Sequence, residues 1–142
     1  MYNPMDLTGK RILVTGASSG IGRETSIILS KLGARVVLLA RSKERLEETY
    51  SKLEGTDHSI YEYDLEQLDG IPKLLKDIAM EQGRLSGLFH AAGIEATLAL
   101  NAIKREKVES VFMTSAFASL MIAKGFSNKD VRQDNSSMVF MS

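Results

Sequence analysis

Val14-Thr15-Gly16-Ala17-Ser18-Ser19-Gly20-Ile21-Gly22 is the stretch that decides how this chain folds. A short apolar run, Arg11 to Thr15, leads into it and reads as a strand. Three glycines follow, and then a helical pattern begins. Glycine lets a backbone turn sharply and approach an anion closely, and the free N–H groups at a helix start then face that anion. The spacing is Gly-x-x-x-Gly-x-Gly, unlike the Gly-x-Gly-x-x-Gly of most dinucleotide folds. A glycine-rich turn can also join a strand to a helix and bind nothing. Here the context favours phosphate binding. Ile12, Leu13 and Val14 form the strand before the turn, and Ile21, Ile28, Leu29 and Leu32 recur at helical spacing after it. Gly33 ends that helix, and Ala34 to Ala40 is a second strand.

The bulk composition narrows the classes of function. The 142 residues suffice for one domain with a single core, and 44% apolar with 25% charged residues is ordinary for a globular protein. Net charge is zero and the Lys and Arg residues are scattered, which argues against a nucleic-acid partner. The absence of cysteine removes disulfides and thiolate metal sites. No apolar run is long enough to span a membrane, and Met1 to Lys10 lacks an apolar signal segment, so a cytoplasmic location is expected.

Strand and helix alternate along the whole chain. Ser42 is placed to cap a helix running through Leu46 to about Leu53, stopped by Gly55 and Thr56. Ser59 to Tyr63 is a third strand, ending at Asp64. The next helix carries Leu68, Ile71, Leu75 and Ile78 on one face, with Pro72 tolerated in its first turn. Leu85 to Ala91 is a fourth strand, closed by Gly93. A long helix is expected over roughly Lys104 to Lys124, with Gly125 as its stop. A polar loop, Ser127 to Asn135, then leads to a fifth strand, Met138 to Met141. This alternation predicts an α/β fold: a Rossmann-like, doubly wound parallel sheet in the order 3-2-1-4-5. The ligand crevice then lies at the carboxyl ends of strands one and four.

With Thr15 ahead of the glycines, the motif resembles the compact branch of the short-chain dehydrogenase/reductase family. The resemblance implies a dinucleotide site built from Gly16, Ser18, Ser19, Gly20, Ile21, Gly22, Arg41, Ser42, Asp64, Leu65, His90, Ala91, Ala92 and Gly93. Ser18 and Ser19 can add hydroxyl donors to the phosphates, or serve as small polar turn residues. After strand two, where many dinucleotide folds carry an acid, this chain has Ala40 and Arg41. A guanidinium grips a ribose phosphate that a carboxylate would repel, so NADP(H) is favoured over NAD. Asp64 and Leu65 correspond to the family's adenine-contacting pair, although Asp64 also suits a helix N-cap. His90-Ala91-Ala92-Gly93 stands where the family has Asn-Asn-Ala-Gly, and His90 reads as a structural substitute for an amide rather than as a base. His58 stands alone, without partners for a metal.

The resemblance covers the whole chain but only about the first half of a full family member. The family's catalytic serine and its Tyr-x-x-x-Lys pair follow the fifth strand. Ser142 falls one residue short of that serine, and no Tyr-x-x-x-Lys occurs in this sequence. Phe112 stands where the family places an asparagine that holds a relay water. The helix over Lys104 to Lys124 is apolar nearly all round, which predicts burial on both faces and, by family resemblance, a homo-oligomer interface. The chain therefore reads as one domain over residues 1–142. The resemblance implies that it is the cofactor-binding portion of an NADP-dependent oxidoreductase acting on a small-molecule alcohol or ketone, and that it is inactive alone. A non-catalytic dinucleotide-binding module, or half of an assembly, is the alternative.

Overall fold

The computed structural model describes residues 2–93 and 99–141. Five strands form one sheet: β1 (Arg11–Thr15), β2 (Arg35–Ala40), β3 (Ser59–Glu62), β4 (Leu85–His90) and β5 (Arg132–Phe140). Their order is β3-β2-β1-β4-β5 and every pairing is parallel, as the alternating pattern predicts. Helices α1 (Gly20–Lys31), α2 (Lys43–Ser51), α3 (Ile71–Gln82), α4 (Arg105–Phe112) and α5 (Ala118–Phe126) connect them. No described helix is long and apolar enough to cross a membrane.

The central strands are buried on both faces, which is why they read as continuous apolar runs. Alternate residues of β2 go to opposite sides. Val36 and Leu38 pack with Val14 and with Leu46 of α2, while Val37 and Leu39 pack with Leu13, Leu75, Ile78, Ile122 and Phe126. The sheet is thus covered by α1 and α2 on one face and by α3 and α5 on the other. Register sets the site. Thr15 lies opposite Leu39 on one side and His90 on the other, and Ala40 lies opposite Glu62. The segments that follow β1, β2, β3 and β4 therefore emerge side by side at one edge.

Four features are not given by the sequence pattern. First, α1 buries Gly22, Ser26 and Ser30, while Ile21 and Ile28 are exposed. Small residues let this helix lie close on the sheet, and the Ser26 hydroxyl is satisfied by the Gly22 carbonyl at 2.7 Å. Second, the single helix expected over Lys104 to Lys124 is interrupted. A π-helical stretch, Met113–Phe117, joins α4 to α5, and Ser119 Oγ, in the first turn of α5, donates back into it to the Ser115 carbonyl at 2.6 Å. The widened turns separate two surroundings: α4 buries no residue, whereas Ala118, Ile122, Gly125 and Phe126 of α5 enter the core. Burial all round is therefore not found. Third, Gly125 is not a stop. It lies inside α5 where α3 crosses, and a Cβ there would come within 2.6 Å of Leu75 Cδ1. Fourth, β5 begins at Arg132 rather than Met138. Its polar first half is an irregular, solvent-exposed edge, with a register shift between the pairs Leu85–Arg132 and Gly87–Ser137. At an edge, polar residues carry no burial penalty.

Candidate functional site

The glycine turn closes on the chain's own backbone. Gly16 adopts φ +67°, and a Cβ on it would lie 2.8 Å from the Ala92 nitrogen. A Cβ on Gly22 would collide with the Gly16 carbonyl oxygen. Both glycines thus serve close approach of the chain to its own backbone. Gly20 differs: it has open space around it and is required by its left-handed φ of +55°.

Ser19 occupies the N-cap of α1 in extended conformation, yet its side chain makes no capping hydrogen bond. A capping serine normally occupies one of the first helical amides. Among the described residues, the amides of Ser18, Ser19, Gly20 and Ile21 have no intramolecular acceptor. Together with the helix dipole, this is an anion-binding arrangement.

A crevice of about 500 Å³ opens above the turn. Its floor is Gly16, Ser18, Ser19, Gly20, Ile21 and Gly22. Arg41 and Ser42 line it after β2, Asp64 and Leu65 after β3, and Ala91, Ala92 and Gly93 after β4. Ile21 is 56% exposed and gives the crevice an apolar wall. Ala40 lines it beside Arg41, and sequence reasoning missed Arg45, Tyr63, Glu66 and Met141, which also line it. Arg41 precedes α2 and Arg45 lies in its first turn, and both cations line the crevice.

Among the described residues no carboxylate pairs with Arg41. Ser42 Oγ accepts the Arg45 N–H at 3.4 Å, the expected cap of α2. Asp64 is not the N-cap of the next helix. Its Oδ1 accepts the Glu66 N–H at 3.0 Å in a loop turn, and helical structure resumes only at Leu68. Leu65 sends its side chain into the core, leaving its main chain at the crevice. The Tyr63 hydroxyl donates to the Gln67 carbonyl at 2.6 Å. Burial, followed by the nearby Asp64 and Asp69 carboxylates, raises its pKa, so it stays protonated.

His90 is not among the crevice-lining residues. It is 1% exposed, beneath the crevice, and its Nδ1 shares a hydrogen bond with the Thr15 hydroxyl at 2.6 Å. Thr15 Oγ1 also accepts the Ala92 N–H at 3.4 Å. Nε2 is buried without a partner among the described residues, and the ring meets Phe140 edge-on at 5.5 Å. An imidazolium needs two acceptors, and Nε2 has none. Burial lowers the His90 pKa to about 4, so the ring is neutral near pH 7. The other histidine is equally structural. His58 Nδ1 accepts the Val36 N–H at 2.9 Å, so Nε2 carries the proton and donates to the Glu54 carbonyl at 2.6 Å. No group of three or more metal-ligating side chains occurs among the described residues. Phe112 is exposed and lies outside the crevice lining, directly before the π-helical stretch. Ser142 lies outside the described residues.

Known proteins resemble this chain in sequence and fold. The chain is 34% identical over 112 residues to carbonyl reductase family member 4 of Danio rerio, covering 79% of this chain and 47% of that protein. It is 32% identical to the uncharacterized oxidoreductase YciK of Escherichia coli (strain K12), covering 99% of this chain and 59% of that protein. A short chain dehydrogenase from Escherichia coli CFT073, solved in complex with NADPH, superposes with TM-score 0.88 at 29% identity, covering 99% of this chain and 61% of that one. The chain thus spans about half the length of the curated relatives it matches. The sequence profile described as short chain dehydrogenase matches residues 10–142, nearly the full length, and on that match, with the parallel sheet and the glycine turn at its carboxyl edge, the chain belongs to the short-chain dehydrogenase/reductase family of oxidoreductases.

Proposed function

We propose that this chain is the cofactor-binding portion of an oxidoreductase that uses NADP(H) to interconvert a hydroxyl and a carbonyl on a small-molecule substrate. One observation carries the choice of cofactor. Arg41 lines the same crevice as the free amides of the glycine turn, without an ion-pair partner among the described residues. The turn amides receive the pyrophosphate, and Arg41, with Ser42 beside it, receives the ribose phosphate. Arg45 adds a second cation on that side. Asp64 and the Leu65 main chain face the adenine, and Ala91, Ala92 and Gly93 present small residues to the second ribose. The bound nicotinamide supplies hydride transfer, and the chain's residues hold it in place. The NADPH complex of the Escherichia coli CFT073 protein supports this reading.

No Tyr-x-x-x-Lys pair occurs in these residues, so the chain alone binds cofactor without turning it over. It acts in the cytoplasm and self-associates through the helical run near Lys104 to Lys124. The exposed Phe117 and Leu120 side chains support that association.

Titration of NADP+ and NAD+ into the chain tests the cofactor assignment. NADP+ binds more tightly, and Arg41→Asp removes about 1–3 kcal/mol of that preference, the worth of a charge-assisted contact. Equal affinity for both dinucleotides, unchanged by the substitution, refutes it.

A further inference from the structure

The crevice depends on main-chain amides, and main-chain amides can be aimed only by holding the peptide units that carry them. Two side chains behind the glycine turn do this. Thr49, fully buried on α2, donates its hydroxyl to the Ala17 carbonyl at 2.8 Å. Arg23, on the first turn of α1, donates from its outer guanidinium nitrogen to the Ser18 carbonyl at 2.6 Å. The two clamps are joined, because Arg23 Nε donates to Thr49 Oγ1 at 3.0 Å. Glu48 completes the group, its carboxylate 3.2 Å from the same Arg23 nitrogen.

The peptide bond is planar and trans, so each carbonyl points opposite to the N–H of the next residue. Holding the Ala17 carbonyl toward Thr49 turns the Ser18 N–H the other way. Holding the Ser18 carbonyl toward Arg23 does the same for the Ser19 N–H. Ser18 and Ser19 both line the crevice, and neither amide has an acceptor among the described residues. We infer that Arg23 and Thr49 are positioning residues that aim the Ser18 and Ser19 amides at the cofactor pyrophosphate. The brace also ties the glycine turn to α2, the helix that follows Arg41 and Ser42, so both phosphate subsites share one rigid support.

The inference rests on the proposed dinucleotide reading, and the experiment separates the two. Inorganic pyrophosphate, NADP+ and NAD+ are titrated into the chain by calorimetry, with the Ser18 and Ser19 amide resonances followed by NMR. Thr49→Val removes the hydroxyl without changing charge. It lowers pyrophosphate and NADP+ affinity about tenfold, the effect of a buried hydrogen bond lost, and it abolishes the pyrophosphate-induced shifts of both amides. Thr49→Ser keeps the hydroxyl and restores binding and shifts. Arg23→Gln, at a side chain 19% exposed, gives the same loss at a site whose folding is less at risk. A wild-type chain that binds neither dinucleotide refutes the function reading, and the brace falls with it. A wild-type chain that binds dinucleotide, with Thr49→Val and Arg23→Gln binding equally well, overturns the brace alone. Loss of binding in Thr49→Ser equal to that in Thr49→Val overturns it too, because packing rather than the hydroxyl would then be the cause.

Discussion

Lowering the pH should destabilise this chain through His90, and the size of the effect follows from its surroundings. The ring is 1% exposed, its Nε2 has no partner among the described residues, and Phe140 closes over it. Its pKa falls from the ordinary 6.5 to about 4. Above pH 6.5 the histidine is neutral in the folded and unfolded chain alike, and its full contribution to stability is present. Between pH 6.5 and 4 the unfolded chain takes up a proton that the folded chain refuses, so stability falls with pH. At 1.36 kcal/mol per unit, the accumulated loss near pH 4 is about 3 kcal/mol. Carboxylates titrate in the same range, so the wild type alone cannot isolate the histidine. His90→Asn can. An asparagine still bonds to Thr15 but does not titrate, and its lost ring packing on Phe140 is a constant offset. Urea unfolding at pH 7, 6, 5 and 4.5 should show wild type losing about 2 kcal/mol more than His90→Asn over that span. Parallel pH dependence in the two proteins would refute the claim that the buried ring refuses its proton.

Gly125→Ala should cost about 1–3 kcal/mol, because the added methyl meets Leu75 Cδ1 at 2.6 Å and the Pro72 Cα at 3.1 Å where α5 crosses α3. Thermal unfolding checks this, and an unchanged or raised Tm would mean that the two helices yield freely. Leu120→Lys, at a side chain 66% exposed, should leave stability within about 0.5 kcal/mol of wild type while reducing the associated mass seen by light scattering. An unchanged mass would exclude that face from the association.

The parts of the fold that a single strand or turn dictates were legible in the sequence. β1, β2 and β4 are buried on both sides, so their residues appear as apolar runs, and most turns between strands and helices carry glycine, as at Gly16, Gly33, Gly55 and Gly83. What depends on a neighbour was not legible. The buried face of α1 is made of Gly22, Ser26 and Ser30, residues that look like a solvent face until the sheet beneath them is placed. Gly125 reads as a helix stop, because a glycine that admits a crossing helix and one that ends a helix are the same letter. The start of β5 is hidden for the opposite reason: an edge strand need not be apolar, so Arg132 to Ser137 resembles a loop.

The site divides along the same line. Groups that contact a ligand through the main chain announce themselves by composition, since close approach demands glycine and small residues at the ends of strands. Those positions, Gly16, Ser18 to Gly22 and Ala91 to Gly93, do line one crevice, and topology alone places Arg41 and Asp64 across from them. Groups that hold the main chain in place have no such signature. Arg23 and Thr49 are polar residues on two different helices, 26 positions apart, and each alone reads as ordinary surface. His90 shows the converse. It sits inside the motif and looks like a ligand contact, yet the register of β1 against β4 turns it onto Thr15, under the crevice rather than into it. In the proposed cofactor site, glycine marks where the chain would touch a phosphate. The side chains that aim the touching amides are found only by following the carbonyls to their donors.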